Sequence, residues 1–193
     1  MFMRKGLSLN RLIGDFLILI SLILLVWIYL PIVQLYLLPP IIDSRQSSYY
    51  ILIPKINARS PIVENVDPWN KDEYQSALKK GVASAKGMNN FLFAHSSLPP
   101  WEMTRTNTPF LRLGELKNGD QIIIHHDGRD NIYNVVDKKE VWPNEVENLI
   151  ASQDDQIILQ TCTPVGTDLK RLLVFARRII LPQNKMILHT FTD

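Results

Sequence analysis

The sequence predicts a mostly β soluble domain with a closed or nearly closed sheet, carried behind a single membrane-spanning helix. Three observations predict it. Residues Phe16 to Leu38 form 23 positions without a charge, whereas the rest of the chain has an ordinary soluble composition. The soluble part holds seven short runs rich in β-branched and aromatic residues. Outside the span only one segment has strong helical signals, and long connections separate the runs, so a layout of alternating strands and helices is disfavoured.

The apolar run comes first. At ~1.5 Å per residue, 23 residues reach across ~30 Å of hydrocarbon. Ser21, Pro31 and Gln34 are its conspicuous interruptions. A cleaved signal peptide has an apolar core of only ~7 to 15 residues ahead of small residues, and this run ends instead in Leu37-Leu38-Pro39-Pro40. The expectation is therefore a retained single-pass anchor in the cell membrane. Arg4, Lys5 and Arg11 precede it against one Asp15, which keeps the N-terminus cytoplasmic. The implied partition is a cytoplasmic segment 1–15, an anchor 16–38, a linker 39–48 and an extracytoplasmic domain 49–193.

Tyr49 to Pro54 reads as a strand stopped by proline, and Pro61-Ile62-Val63 as a second, short one. Asn70 followed by Glu73 starts a helix in the manner of a capping box. Tyr74, Ala77 and Leu78 share its face, and Lys79-Lys80-Gly81 ends it. Phe91 to Ala94 reads as a buried strand ending at His95, followed by a long loop opening with Ser96-Ser97-Leu98-Pro99-Pro100. Gln121 to His126 and Ile132 to Val141 pair across a turn containing Asp127-Gly128. Asn144 to Ile150 suggests a further helical segment. Gln156 to Thr161 and Arg171 to Leu181 complete the strands.

Composition removes several function classes. Twenty-one basic and 19 acidic residues leave a net charge of +2, too little for general nucleic-acid binding. Neither phosphate-cradling glycine motif is present. The single cysteine, Cys162, excludes an intrachain disulfide and a cysteine-rich zinc site.

That cysteine ends the run Ile157 to Thr161, at a boundary between strand and loop. Arg171 follows nine positions later, so an antiparallel pairing of the two strands would carry its guanidinium back toward the sulfur. At neutral pH an unperturbed thiol and imidazole are both charged in only about 1% of molecules, so a nucleophilic cysteine needs local help. A histidine can exchange protons with the thiol and the leaving amine, and an arginine supplies a fixed charge and a two-pronged donor. Of the four histidines, His95 at a strand end overlooks a cleft most naturally. His125 and His126 sit before the hairpin turn, and His189 lies in the C-terminal tail.

The run Ile158-Leu159-Gln160-Thr161-Cys162-Thr163-Pro164, continuing through Gly166 and Thr167 to Arg171-Leu172-Leu173-Val174, resembles the cysteine signature of the sortases, membrane-anchored cysteine transpeptidases of bacterial cell surfaces. Ile53-Pro54-Lys55-Ile56, Pro61-Ile62-Val63, Leu78 to Val82, the Phe91 to His95 strand and Gly119-Asp120 match in order along about 140 residues. The resemblance implies an eight-stranded β-barrel in which His95, Cys162 and Arg171 are catalytic and Thr161 lines the peptide groove. It further implies cleavage of a Leu-Pro-x-Thr-Gly-like sorting peptide through a thioester, followed by transfer to an amine of a cell-wall precursor or a pilin lysine. No cofactor is required by that chemistry. Calcium stimulates some members, but Glu64, Asp67, Asp72, Glu73, Glu102, Glu145 and Glu147 are too scattered to assign as ligands.

The chain departs from the family pattern at Ala94, where glycine is common, and at Ile158 in place of threonine. Asp67-Pro68-Trp69 is similar to the lid motif of pilus-building members and is read as a turn ahead of the Asn70 helix. A reading from another class is a non-catalytic, membrane-tethered β-domain that binds surface peptides.

Overall fold

The computed structural model describes residues 9–37, 48–88, 90–104, 106–149 and 155–179. Its first element, α1 (Leu9–Leu37), runs through Pro31. Within it, Leu9–Leu30 is long and apolar enough to cross a membrane, and none of that stretch is buried. A core helix of a soluble domain would bury such a surface. The described helix already runs seven residues ahead of Phe16, because Arg11 and Asp15 are compatible with helix even where they are not with hydrocarbon. Leu38, most of the linker 39–48, Arg4 and Lys5 lie outside the described residues.

Eight strands follow: β1 (Tyr49–Ile53), β2 (Ala58–Val66), β3 (Val82–Ala85), β4 (Phe91–Phe93), β5 (Gln121–His126), β6 (Arg129–Val141), β7 (Gln156–Thr163) and β8 (Lys170–Arg178). They close into a barrel in the order β1-β2-β3-β4-β7-β8-β6-β5, and β5 returns to β1 through antiparallel pairs such as Ile51 with Ile124. The closed sheet expected from the sequence is therefore present, with eight strands. The β2–β3 and β4–β7 pairs are parallel; the first needs a crossover, which α2 (Lys71–Lys80) supplies.

Strand alternation sorts the apolar residues into two sets. Ile51, Ile53, Leu92, Ile122, Ile157, Leu159 and Val174 fill the barrel interior. Phe91, Phe93, Ile158, Leu173 and Phe175 face outward and are covered by Ala77 and Leu78 of α2 and by Val146. Because β4, β7 and β8 are apolar on both faces, they read as continuous runs rather than alternating ones.

Helix α2 starts as anticipated, with Asn70 Oδ1 accepting from the Glu73 N–H at 3.3 Å. The Glu73 carboxylate does not complete a capping box; it accepts from the Asp67 N–H at 3.0 Å. Gly81 ends the helix for a reason the sequence does not display. Its φ is +156°, and a Cβ there would lie 2.5 Å from the Pro61 carbonyl oxygen and 2.6 Å from Ser60 Oγ. Helix end and β2 can approach this closely only with glycine at position 81. Gly81→Ala should lower unfolding stability by at least about 2 kcal/mol, measured by urea denaturation; an unchanged midpoint would show that the contact relaxes freely.

The β5–β6 turn is the two-residue Asp127-Gly128 type, both residues having positive φ, 48° and 75°, as a tight hairpin demands. The helix expected from Asn144 to Ile150 does not form. Pro143–Glu145 is one turn of 3-10 helix, with the Glu145 N–H bonded to the Trp142 carbonyl at 3.0 Å and the next such bond at Leu149 to Val146. Too few successive bonds exist there to propagate an α-helix. Ile150 and the strand end expected at Leu181 lie outside the described residues.

Candidate active site

The site is assembled by parity and register. Thr161 and Leu159 point into the barrel, so Cys162, the next residue on β7, points to the outer face. In the β7–β8 hairpin Cys162 lies directly opposite Arg171, whose neighbour Leu172 packs inward. Thiol and guanidinium therefore emerge on one face, as the antiparallel pairing anticipated. On the other side of β7, the parallel β4 pairs Phe93 with Gln160. The ladder continues one residue beyond the strand, with the Ala94 N–H donating to the Gln160 carbonyl at 3.1 Å. Two residues further along each chain come His95 and Cys162, on the outward parity of Phe93.

His95, Cys162 and Arg171 all line one cavity of about 440 Å³, together with Tyr74, Ser97 and Asp168. Two loops border it, joined where the Gly166 N–H donates to Ser97 Oγ at 2.8 Å. Arg171 Nη1 donates to the Asp168 carbonyl at 2.8 Å and to its neighbour Lys170 at 3.2 Å. These bonds fold the β7–β8 loop around the guanidinium, while its other nitrogens make no hydrogen bond among the described residues.

Thr161 sits differently from the other three. Its side chain is 4% exposed, and its hydroxyl donates to the Ala94 carbonyl at 2.8 Å. It thus ties the end of β4 to β7 immediately before His95. From its inward position it borders a second cavity of about 210 Å³, shared with Cys162, Phe110, Val165, Leu172 and the Arg112–Glu115 pair. Cys162 stands where the two cavities meet.

The electrostatics oppose spontaneous ionisation of the pair. Burial pushes the Cys162 thiol up, Arg171 pulls it partly back down, and Asp168 adds to the rise. Burial also holds His95 below the ordinary imidazole value. Both shifts favour the neutral thiol and the neutral imidazole over the ion pair. Any chemistry at this sulfur would need ionisation on demand, for which His95 on the same cavity wall offers a proton acceptor and Arg171 a charge that favours the thiolate.

The other described histidines are elsewhere. His125 stacks on Tyr50 and has Nδ1 2.6 Å from Asp130, and His126 lies against Tyr49. His189 lies outside the described residues. Asp67-Pro68-Trp69 forms the turn expected ahead of α2: Asp67 Oδ1 accepts from the Trp69 N–H at 2.9 Å, and Trp69 is 80% exposed. Sequence reasoning placed Tyr74 only on the packing face of its helix and assigned nothing to Ser97 or Asp168. The one available signal was Tyr74's place on the helix face shared with Leu78, since that face had to cover the barrel.

The family model described as Sortase domain matches residues 51–179, from within β1 to the end of β8. The chain is 28% identical over 141 residues to sortase D of Bacillus subtilis (strain 168), covering 71% of this chain and 66% of that protein. It is 26% identical over 133 residues to sortase A of Bacillus anthracis, covering 69% and 60%. The chain thus spans slightly under two thirds of the length of these relatives. A solved structure of Clostridium perfringens sortase C, described with the C-terminal cell wall sorting motif, is 32% identical, with a TM-score of 0.55 and coverage of 68% of this chain and 70% of that one. The same barrel and a family match across well over half of the sequence lead to one conclusion: the chain belongs to the sortase family.

Proposed function

We propose that this protein is a cysteine transpeptidase that cleaves a Leu-Pro-x-Thr-Gly-like sorting peptide and transfers its N-terminal part to an amine. The observation that carries this reading is the convergence of His95, Cys162 and Arg171 on one outer face and one cavity. In the forward half-reaction the thiol proton passes to His95 and the sulfur attacks the threonine carbonyl. Arg171 donates to the carbonyl oxygen as charge develops there. The C–N bond breaks as His95 returns the proton to the leaving amine, leaving a thioester on Cys162. In the second half an acceptor amine attacks, His95 takes its proton, and the sulfur leaves as thiolate. No cofactor enters these steps. The acceptor is a cell-wall precursor amine or a pilin lysine. The apolar α1 would hold the domain at the outer membrane surface with its N-terminus in the cytoplasm, where anchored substrates are concentrated.

The test uses the full chain in detergent micelles with a fluorogenic sorting peptide, with and without an added amine. Peptide cleavage, a thioester adduct by mass spectrometry and an amine-dependent product are expected. Saturable peptide binding with neither cleavage nor adduct would replace this reading by the non-catalytic peptide-binding one.

Two further outcomes follow from the geometry. One proton is shared between sulfur and imidazole in the active form, so kcat/KM rises as His95 loses its extra proton and falls as the pair loses its last. With His95 lowered and Cys162 raised, the acid limb should lie below about 6.5 and the alkaline limb above about 8.5. A profile narrower than that would contradict the burial of the pair. Thr161→Val removes the hydroxyl that holds the Ala94 carbonyl and should cost about 1–3 kcal/mol of stability. It should also lower kcat more than it raises KM, because His95 loses its anchor, and Thr161→Ser should restore both. Equal activity of the valine and wild-type proteins would remove the positioning role.

A further inference from the structure

Tyr74 enters the cavity from α2, an element that contributes none of the three residues described above. One turn further along, Leu78 packs on the outer face of the barrel, and Tyr74 shares that side of the helix. Its ring lies parallel to Phe93, with centroids 5.3 Å apart and planes at 9°. Phe93 is two residues before His95 on the same face, so the strand that delivers the imidazole also fixes the phenol. Tyr74 lines the cavity with Cys162 and Arg171 and is close enough for both to act on its ionisation. Among the described residues its hydroxyl makes no hydrogen bond. The hydroxyl is not sealed from solvent and opens on the cavity, and packing alone would be served as well by phenylalanine.

We propose that Tyr74 is a further catalytic residue, its hydroxyl donating a hydrogen bond to the Cys162 sulfur in the thiolate state. This rests on the transpeptidase reading of the site. A thiol is a weak acceptor and a thiolate a strong one, so the bond is gained as the proton leaves for His95. It stabilises the charged sulfur with a neutral donor. The charged and titratable groups facing that sulfur then come from four elements or their ends: His95 after β4, Arg171 on β8, Asp168 in the β7–β8 loop and Tyr74 on α2. Of these only Asp168 opposes the thiolate.

The experiment measures the rate of Cys162 alkylation by iodoacetamide against pH in the full chain and in Tyr74→Phe, which keeps the stacked ring. The midpoint of the thiol titration should rise by up to about one unit, with alkylation at pH 7 falling about three- to tenfold and kcat/KM for the peptide falling in proportion. An alkylation profile superimposable on that of the unaltered protein overturns the proposal, whether or not peptide turnover changes. A shifted profile in a protein that never cleaves peptide supports the Tyr74–Cys162 bond and overturns the transpeptidase reading instead. Should Tyr74→Phe fail to fold, the reciprocal measurement decides. In Cys162→Ser with 13C-labelled tyrosine, the Tyr74 titration should move down because the sulfur charge is gone, and an unmoved titration overturns the proposal.

Discussion

On the proposed reaction, Cys162→Ala should abolish peptide cleavage, reducing kcat by at least about a thousandfold while leaving the barrel folded. The size of the loss follows from covalent catalysis. Without the sulfur no thioester can form, and the remaining groups can at most polarise a carbonyl toward water. Stability should change little by comparison, because Cys162 is only partly buried near the end of β7, a strand that Leu159 and Thr161 hold from inside. The measurement is unusually clean here, since the chain has one cysteine. Any thioester adduct or alkylation is assignable to Cys162 without mapping, and both must vanish in the alanine variant. Full cleavage by Cys162→Ala would remove the nucleophile and with it the reaction scheme.

Arg171→Lys is expected to lower kcat/KM by about 10²–10³-fold, although the charge is kept. Arg171 does two separable things. Its positive charge pulls the Cys162 thiol down against burial, and its planar fork bonds loop carbonyls through Nη1 while its other nitrogens have no hydrogen bond among the described residues. Lysine preserves the first role approximately and loses the second, because a single ammonium cannot hold the Asp168 carbonyl and present aligned donors to a developing oxyanion. The alkaline limb of the pH profile should therefore stay near its original place in Arg171→Lys. In Arg171→Gln it should move up, since the thiol loses its main opposing charge. Wild-type turnover in the lysine variant would leave Arg171 a purely electrostatic or structural residue.

Much of this was legible along the chain. Alternation and β-branching marked β1, β5 and β6, and the Asp127-Gly128 turn set their hairpin. The Asn70 cap marked α2, and an uncharged run marked α1. What escaped did so for physical reasons. Strand β3 is Val-Ala-Ser-Ala, with little strand propensity of its own, and is extended only because β2 and β4 flank it. The short β2 expected at Pro61 to Val63 reaches from Ala58 to Val66, since its partners supply the hydrogen bonds that its own polar residues do not signal. The 144–149 segment has helical residues but meets the outer face at Val146 before a second turn can form. Gly81 looks like an ordinary helix terminator and is instead required by the Pro61 backbone beside it.

For the site, chemistry was visible in residue types and their order, and proximity was visible only for the pair joined by a hairpin. Cys162 and Arg171 are nine residues apart and meet through one antiparallel register, a local relation. His95 is brought beside Cys162 by a parallel pairing of β4 with β7, and Tyr74 by the packing of α2 on Phe93, contacts between segments separated by tens of residues. Short-range patterning follows from steric preferences that each residue carries with it. Which distant faces meet depends on barrel closure and on burial summed over many strands, a property no single stretch of the polypeptide holds.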